Sequence, residues 1–229
     1  MVYLPDTLLQ RSVVGPILCI MLTAILELTC IDEARRLYRS NKSLYVSAWF
    51  ANIFNNVFVG GLTYYWTVRC FCQDKELSVA QRLISGVGVP VIQSLLYYGI
   101  HRAFHEVKGL YWIHSYHHKF NKIVLPSSAN AVSVNEYVTA YMFPLVVAVV
   151  LTGADEIATF SGPAIPVVAN LLIHTPRMEA IRYPWMFVST EDHLNHHRRL
   201  TGDYAAPILH ADRIVDRLLS FSPATRKQN

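Results

Sequence analysis

The sequence has few charged residues and few cysteines, and both shortages exclude common classes of protein. Aspartate, glutamate, lysine and arginine make up 16% of the 229 residues, whereas hydrophobic residues make up 52%. A soluble domain carries about 25% charged residues, so this composition favours a lipid environment over water. The four cysteines are too few and too scattered for a disulfide framework, and we expect reduced thiols.

Motifs that bind nucleotides or nucleic acids are also missing. No Gly-x-Gly-x-x-Gly segment follows a strand-like run and opens a helix, so the sequence predicts no dinucleotide site. The net charge is only +4, and the basic residues form no continuous run that would bind a phosphate backbone. We therefore expect no nucleic-acid partner. The length and the lack of a linker predict one domain, residues 1–229.

Five long apolar stretches could cross a bilayer, whose hydrocarbon core of about 30 Å needs about 20 helical residues. They are residues 12–30, 45–68, 84–100, 137–154 and 157–173. Only the first contains a charged residue, Glu27. The last two are separated by Asp155 and Glu156 alone, so they form either two short crossings or a hairpin that dips into the membrane. We predict an all-α polytopic membrane protein with about four to five transmembrane or re-entrant helices.

Lysine and arginine are distributed unevenly between the connecting segments. If the five stretches alternate in direction, residues 31–44, residues 101–136 and the chain after residue 174 share one face of the membrane. That face holds 16 of the 20 basic residues and the opposite face holds four. Because cytosolic loops carry the excess of lysine and arginine, this face is predicted to be cytosolic. A cytosolic helical cap would then carry every histidine.

Eight of the ten histidines form three clusters within 97 residues. The clusters are His101-x3-His105, His114-x2-His117-His118 and His193-x2-His196-His197. On a helix, residues i and i+4 share a face, so the first and last histidine of each cluster can bind one metal ion. The middle residues, His117 and His196, can turn towards a second ion. A lone histidine is usually a core residue, whereas this spacing indicates two neighbouring metal sites.

The spacing leaves the metal open, because imidazole suits zinc, copper, iron and nickel alike. A structural zinc site is four-coordinate and closed, and eight imidazoles exceed what one tetrahedral ion can use. Two ions with open coordination positions therefore fit the sequence better than one structural zinc.

The clusters and the motifs around them resemble the sterol desaturase and fatty acid hydroxylase superfamily of membrane di-iron enzymes. The resemblance runs from about residue 97 to residue 212. Its pieces are His101-Arg102-Ala103-Phe104-His105, Leu110-Tyr111, His114-Ser115-Tyr116-His117-His118-Lys119-Phe120, Pro126, His174-Thr175, Tyr183-Pro184-Trp185, His193-Leu194-Asn195-His196-His197, Gly202-Asp203-Tyr204 and Asp212-Arg213. Their order and spacing are specific to this superfamily.

The resemblance implies a catalytic region at residues 84–216 that uses two iron ions and O2 as co-substrate to oxidise a membrane sterol or fatty-acyl lipid. It also implies an electron donor such as cytochrome b5 with its reductase. The implied iron ligands are His101, His105, His114, His117, His118, His174, His193, His196 and His197. The residues 226–229, Arg-Lys-Gln-Asn, resemble a dibasic retrieval signal, although an exposed basic tail is the commoner explanation of such residues. We predict the endoplasmic reticulum as the location.

Two positions depart from the pattern of the superfamily. Many members have a His-Pro-x-Glu element where this chain has Ser133-Val134-Asn135-Glu136, and one iron is expected to keep a water in place of that histidine. The Ser-Val-x-Glu version resembles cholesterol 25-hydroxylase-like members and favours hydroxylation. Ala211 replaces a common tryptophan, and the adjacent His210 is interpreted as a surface residue in preference to a replacement ligand.

The leading hypothesis is therefore a lipid hydroxylase, and two alternatives stay open. A sterol desaturase or sterol methyl oxidase would use the same irons. A membrane metal carrier or an inactive scaffold belongs to a different class. A carrier should have ionisable groups along its spans, where this chain has only Glu27, and an inactive homologue usually loses ligands.

Overall fold

The computed structural model describes residues 7–72 and 77–220. Helices account for nearly all of the regular structure in these ranges, and no strand occurs in them beyond one isolated bridge between Phe187 and Leu209. The prediction of an all-α fold is confirmed. The residues proposed as a retrieval signal, 226–229, lie outside the described ranges.

The N-terminal half contains two long helical runs and the start of a third. Its helices are α1 (Thr7–Thr29), α2 (Ile31–Ser40), α3 (Lys42–Phe54), α4 (Gly61–Thr67) and α5 (Val79–Glu106). The π-helical turns Asn55–Gly60 and Val68–Cys72 join α3 to α4 and continue beyond it, so residues 42–72 form one uninterrupted helical run. The short helix α2 is strongly amphipathic and buries Ala34 and Leu37.

The described helices of the C-terminal half range from three to 18 residues in length. They are α6 (Tyr111–His114), α7 (Val134–Glu136), α8 (Phe143–Thr152), α9 (Glu156–Ile173), α10 (Thr190–Arg199) and α11 (Ala211–Ser220). A π-helical turn, Tyr137–Met142, fuses α7 and α8 into one run, Val134–Thr152. Three single 3₁₀ turns lie in the connections: His117–Phe120, Pro126–Ser128 and Pro176–Met178.

Four helices of the described chain are long and apolar enough to cross a membrane: Thr7–Thr29, Val79–Glu106, Val134–Thr152 and Glu156–Ile173. The remaining predicted stretch, residues 45–68, is also helical, but Asn52, Asn55 and Asn56 make it more polar than the other four. The expectation of four to five membrane helices is confirmed. The stretches 137–154 and 157–173 are two separate helices, since Gly153 ends α8 with a left-handed residue at φ 62°.

Contacts between helix ends show that the five predicted stretches alternate in direction. Arg11, near the start of α1, pairs with Glu156 at the start of α9 (3.1 Å), and Arg82, near the start of α5, pairs with Asp155 (2.6 Å). Cys72, at the end of the 42–72 run, lies 3.2 Å from Thr159 of α9. These ends therefore share one face, and the ends that lead to the histidines share the other.

The outer surface of the helices is apolar. Leu28, Ile84 and Leu151 are large aliphatic residues that are each about 70% exposed (68%, 72% and 69%). Many further aliphatic and aromatic side chains are exposed along α1, α5, α8 and α9. Water does not tolerate contiguous apolar patches of this kind on a monomer, whereas lipid chains do. The protein is an integral membrane protein.

Glu27, the one charged residue in the predicted spans, is buried and accepts three hydrogen bonds. Its carboxylate accepts from the Tyr45 hydroxyl (2.7 Å), the Trp49 indole N–H (3.1 Å) and the backbone N–H of Ser127 (3.0 Å). Three donors from two other segments satisfy this buried carboxylate, as burial of a charge requires. Glu27 thus ties α1 to α3 and to the loop that follows the second histidine cluster.

Helices α5 and α9 approach each other closely at Gly162. A Cβ added to Gly162 would lie 2.9 Å from Cγ1 and 3.0 Å from Cβ of Val89, a fully buried residue of α5. Val89 is packed into the core and has no room to withdraw. The contact holds together the two helices whose C-terminal ends lead to His101 and His174.

We expect Gly162→Ala to destabilise the protein by about 1–3 kcal/mol, because the new methyl group overpacks the contact with Val89. The matched control is Gly86→Ala in α5, where an added Cβ meets no atom within 4 Å. Thermal unfolding of both variants in the same detergent provides the comparison. Equal melting temperatures for the two variants would contradict a close helix contact at Gly162.

Candidate metal centre

The nine histidines come from four places at one end of the helix bundle. His101 and His105 occupy the last turns of α5, and His174 follows directly after α9. His193, His196 and His197 lie on α10. At the start of this helix, the side chains of Ser189 and Asp192 each accept a hydrogen bond from the other residue's backbone N–H. The second cluster lies between α6 and the 3₁₀ turn His117–Phe120. All but His105 are at most 4% exposed.

The rings assemble into two groups, and within each group the potential ligand atoms lie within 4.8 Å of one another. The five-histidine group contains His101, His105, His114, His118 and His196, and the four-histidine group contains His117, His174, His193 and His197. The two groups adjoin, since the ring centroids of His118 and His197 are 5.0 Å apart. The structure therefore offers two neighbouring sites for metal ions, as the spacing of the clusters indicated.

Helical geometry explains most of this grouping. His101 and His105 are one turn apart on α5 and lie in one group, and His193 and His197 are related in the same way on α10. His196 points to the opposite group from its neighbours on α10. The expectation that the middle histidines face the second site agrees with this arrangement.

The histidines of the second cluster are also divided between the two groups, but no continuous helix places them there. His114 is the last residue of α6, and His117 begins a separate 3₁₀ turn, so no continuous α-helix connects His114 to His118. The prediction that one helix carries His114 to His118 is therefore wrong. His114 and His118 nevertheless meet in the five-histidine group, with ring centroids 4.4 Å apart, and His117 lies in the other group.

The Nε2 atoms face one another at distances that suit shared metal ions. His101 Nε2 is 2.8 Å from His114 Nε2, and His118 Nε2 is 3.1 Å from His105 Nε2. In the other group, His193 Nε2 lies 3.0 Å from His174 Nε2 and 3.2 Å from His197 Nε2. Imidazole nitrogens bound at about 2.1 Å to one ion lie about 3.0–3.4 Å apart in octahedral or tetrahedral geometry. The residues present fit two metal ions.

The opposite ring nitrogens of four histidines are held by acceptors. Backbone carbonyls accept from Nδ1 of three rings: Tyr204 from His101 (2.7 Å), Gly202 from His196 (2.8 Å) and Asn170 from His174 (2.7 Å). The buried carboxylate of Glu136 accepts from Nδ1 of His114 at 2.6 Å. A proton fixed on Nδ1 leaves the lone pair of Nε2 for a metal ion, the usual arrangement of metal-binding histidines.

Electrostatics keep these imidazoles neutral. Burial, reinforced by the neighbouring rings, lowers the pKa of His114, His117, His193 and His197 well below the ordinary value of 6.5. Burial likewise lowers the pKa of His118 to about 2 and that of His174 to about 4. Neutral imidazole is the form that binds metal, so the site is prepared for cations at neutral pH.

Ser133 serves as a backbone cap, and Glu136 contacts His114, a role that was not expected from the sequence. The Ser133 hydroxyl donates to the carbonyl of Ile113 (2.7 Å) and accepts from the backbone N–H of Glu136 (3.1 Å). Ser133 therefore caps α7 and lies outside both histidine groups. One signal in the sequence indicated the role of Glu136: it is an acidic residue directly before an apolar stretch.

The interpretation of His210 as a surface residue was wrong. His210 is 1% exposed and lies beside Asp192, Asp203 and Asp212, at 3.7, 3.8 and 4.0 Å respectively. These acidic partners come from α10, the following loop and the start of α11, so no local pattern around His210 indicated its burial. His210 belongs to neither histidine group.

Comparison with known proteins agrees with the geometry. The sequence model of the fatty acid hydroxylase family, described as "Fatty acid hydroxylase", matches residues 86–217. No curated protein and no solved structure matches the chain. The family match covers more than half of the 229 residues and includes all nine histidines of the two groups. The chain belongs to the fatty acid hydroxylase family.

Proposed function

We propose that the protein is a membrane oxygenase that binds two iron ions at the nine histidines and uses O2 to hydroxylate a C–H bond of a sterol or fatty-acyl lipid. The observation that carries the proposal is the pair of adjoining histidine groups within a fatty acid hydroxylase. Two ions with several imidazoles each and open positions suit O2 chemistry better than a closed structural site.

The iron pair, when bound, supplies the activation of O2 and the removal of hydrogen from the lipid. The balanced reaction converts R–H, O2, two protons and two electrons into R–OH and water, so a donor must supply two electrons. The side chains of the protein position the ligands for this chemistry. Glu136 keeps a proton on Nδ1 of His114, and the carbonyls of Tyr204 and Gly202 do so for His101 and His196.

A membrane-embedded cavity of about 300 Å³ supports a lipid substrate. It lies between α1, α4, the π-helical turn Tyr137–Met142, α8 and α9, and apolar side chains dominate its lining. Its volume is at the lower end of the range for small-molecule sites, about 300–1,000 Å³, and suits an alkyl chain. Tyr137, which lines the cavity, directly follows Glu136 of the metal centre.

The alternatives receive less support from the structure. A sterol desaturase or methyl oxidase would use the same centre, and hydroxylation is preferred here on the resemblance of the Ser133–Glu136 element. A metal carrier needs ionisable groups along a path, whereas Glu27 is engaged by three donors between helices. An inactive scaffold would not need nine histidines in two close groups.

We further propose that the metal centre faces the cytosol from the endoplasmic reticulum and receives electrons from cytochrome b5 and its reductase. The excess of lysine and arginine on the histidine side supports this orientation. Arg35, Arg36 and Arg39 of α2 and the residues Lys108 and Lys119 are exposed on that side. A basic surface favours encounter with an acidic donor protein.

His118→Ala is expected to abolish lipid oxidation, because it removes one ligand of the five-histidine group. The matched control is Asn121→Ala, which changes a nearby exposed and uncharged residue and should retain activity. Membranes containing each protein are supplied with ¹⁸O2, a cytochrome b5 donor and extracted lipids, and labelled hydroxylated lipid is measured by mass spectrometry.

The wild-type protein should contain about two irons per chain. One tightly held zinc with no iron-dependent turnover would exclude the di-iron oxygenase.

The orientation is tested with protease sites placed after Asn229 and, separately, after Asp74. In sealed microsomes, whose outer face is cytosolic, we expect cleavage at the C-terminal site and protection of the site after Asp74, because basic residues concentrate on the histidine face. The opposite pattern, with a protected C-terminus, would show that the protein is inverted.

Ser133→Ala should lower stability by about 1 kcal/mol through loss of the α7 cap, and it should reduce iron content because Glu136 is held less firmly. Activity per bound iron should stay near the wild-type value, since both partners of the hydroxyl are backbone groups, the Ile113 carbonyl and the Glu136 N–H. Ser133→Thr retains a capping hydroxyl and serves as the matched control. A Ser133→Ala protein with full iron content and no turnover would show that the serine takes part in the chemistry.

A further inference from the structure

A third cluster of potential ligands lies beside the nine histidines and shares no residue with them. Asp192 of α10, Asp203 of the following loop and His210 before α11 place one ligand atom each within 4.8 Å of the others. His210 Nε2 is 3.7 Å from Asp192 Oδ2 and 3.8 Å from Asp203 Oδ1. The cluster therefore joins α10, the loop after it and the residue directly before α11.

His210 is the feature of this cluster that ordinary packing does not explain. Its side chain is 1% exposed, and neither ring nitrogen has a hydrogen-bond partner among the described residues. The distances to the two carboxylates are too long for N–H···O hydrogen bonds. A buried polar ring without partners is costly, so its position between two carboxylates calls for a bridging group.

A metal ion fits between these three side chains. Ligand atoms that each lie about 2.0–2.2 Å from one ion are about 2.8–3.6 Å apart in octahedral or tetrahedral geometry, so the two distances from His210 Nε2 would shorten slightly when an ion binds. The donor set of one imidazole and two carboxylates is among those that Zn²⁺ accepts. The Asp203 side chain is 33% exposed, so an ion can enter from solvent.

The surroundings orient the carboxylates as metal sites require. Asp192 Oδ2 accepts from the hydroxyl (2.7 Å) and the backbone N–H (3.1 Å) of Ser189, and Arg213 donates to Oδ1 (2.7 Å). Asp212, the other nearby carboxylate, accepts from the backbone N–H of Ala205 (2.7 Å) and lies 4.0 Å from His210 Nδ1. Hydrogen bonds of this kind hold metal-binding side chains in place.

We propose that Asp192, Asp203 and His210 form a third metal site, which binds a divalent transition metal of the Zn²⁺ type and has a structural role. The ion links α10 to the segment 200–210. That segment supplies the carbonyls of Gly202 and Tyr204, which hold His196 and His101 of the five-histidine group. The site thereby stiffens the loop that orients two of the histidines.

The test uses the full-length protein purified with its iron, equilibrated with Zn²⁺ and analysed for zinc and iron per chain. Four proteins are compared: wild type, Asp203→Asn, His210→Gln and the control Asp216→Asn, an exposed carboxylate of α11. Asparagine tolerates positive φ, so Asp203→Asn can keep the backbone at its φ of 49°. This variant remains informative if His210→Gln fails to fold.

Wild type and Asp216→Asn are expected to retain about one more zinc per chain than Asp203→Asn and His210→Gln, with equal iron in all folded proteins. Zinc should also raise the melting temperature of wild type and Asp216→Asn but leave that of Asp203→Asn unchanged. Equal zinc content in wild type and Asp203→Asn would overturn the proposal. A zinc-induced rise in melting temperature that persists in Asp203→Asn would overturn it as well.

Discussion

Nine imidazoles in mutual contact, eight of them buried, impose the constraint on which the rest of the structure depends. Their Nε2 atoms face one another at about 3 Å, while burial and neighbouring rings both oppose protonation. With Nδ1 of both His101 and His114 donating to an acceptor, their Nε2 lone pairs meet at 2.8 Å and cannot form a hydrogen bond with each other. A bound cation would satisfy both lone pairs. We expect folding of the part of the chain that carries these rings to be coupled to metal binding, with the surrounding elements serving as a shell that holds the rings in place.

The shell is built largely from polar side chains inside the membrane helices. Residues 124–132, which lead from the second histidine cluster to Ser133, are buried throughout. Such a loop needs partners for its backbone groups. Glu27 of α1 accepts from the backbone N–H of Ser127. The Asn55 side chain donates to the carbonyls of Asn130 and Val132. The Asn170 side chain of α9 donates to the carbonyl of Ala129. The polar residues within the spans thus provide hydrogen-bond partners for the backbone of this buried loop. The loop in turn positions Glu136, which contacts His114.

Local periodicity predicted the parts of the site that lie on regular helices. The pairs His101 with His105 and His193 with His197 follow directly from the helical repeat, and the apolar stretches predicted the helices around them. The parts that depend on long-range contacts could not be predicted in this way. His210 is buried because Asp192 and Asp203 arrive from other segments, and His114 meets His118 although a break in the helix separates them. Glu136 acquires its role only through contact with a ring 22 residues away.

The two histidine groups differ in what supports them, and this difference bears on how each holds metal. In the five-histidine group, His101 and His196 depend on carbonyls of the 200–210 segment, and His114 depends on Glu136 of α7. In the four-histidine group, His174 is held by Asn170 within its own helix, and His193 and His197 lie one turn apart on α10. Its geometry is therefore largely set by two helices. Loops rearrange more readily than packed helices, and the five-histidine group depends more on loop segments than the four-histidine group does.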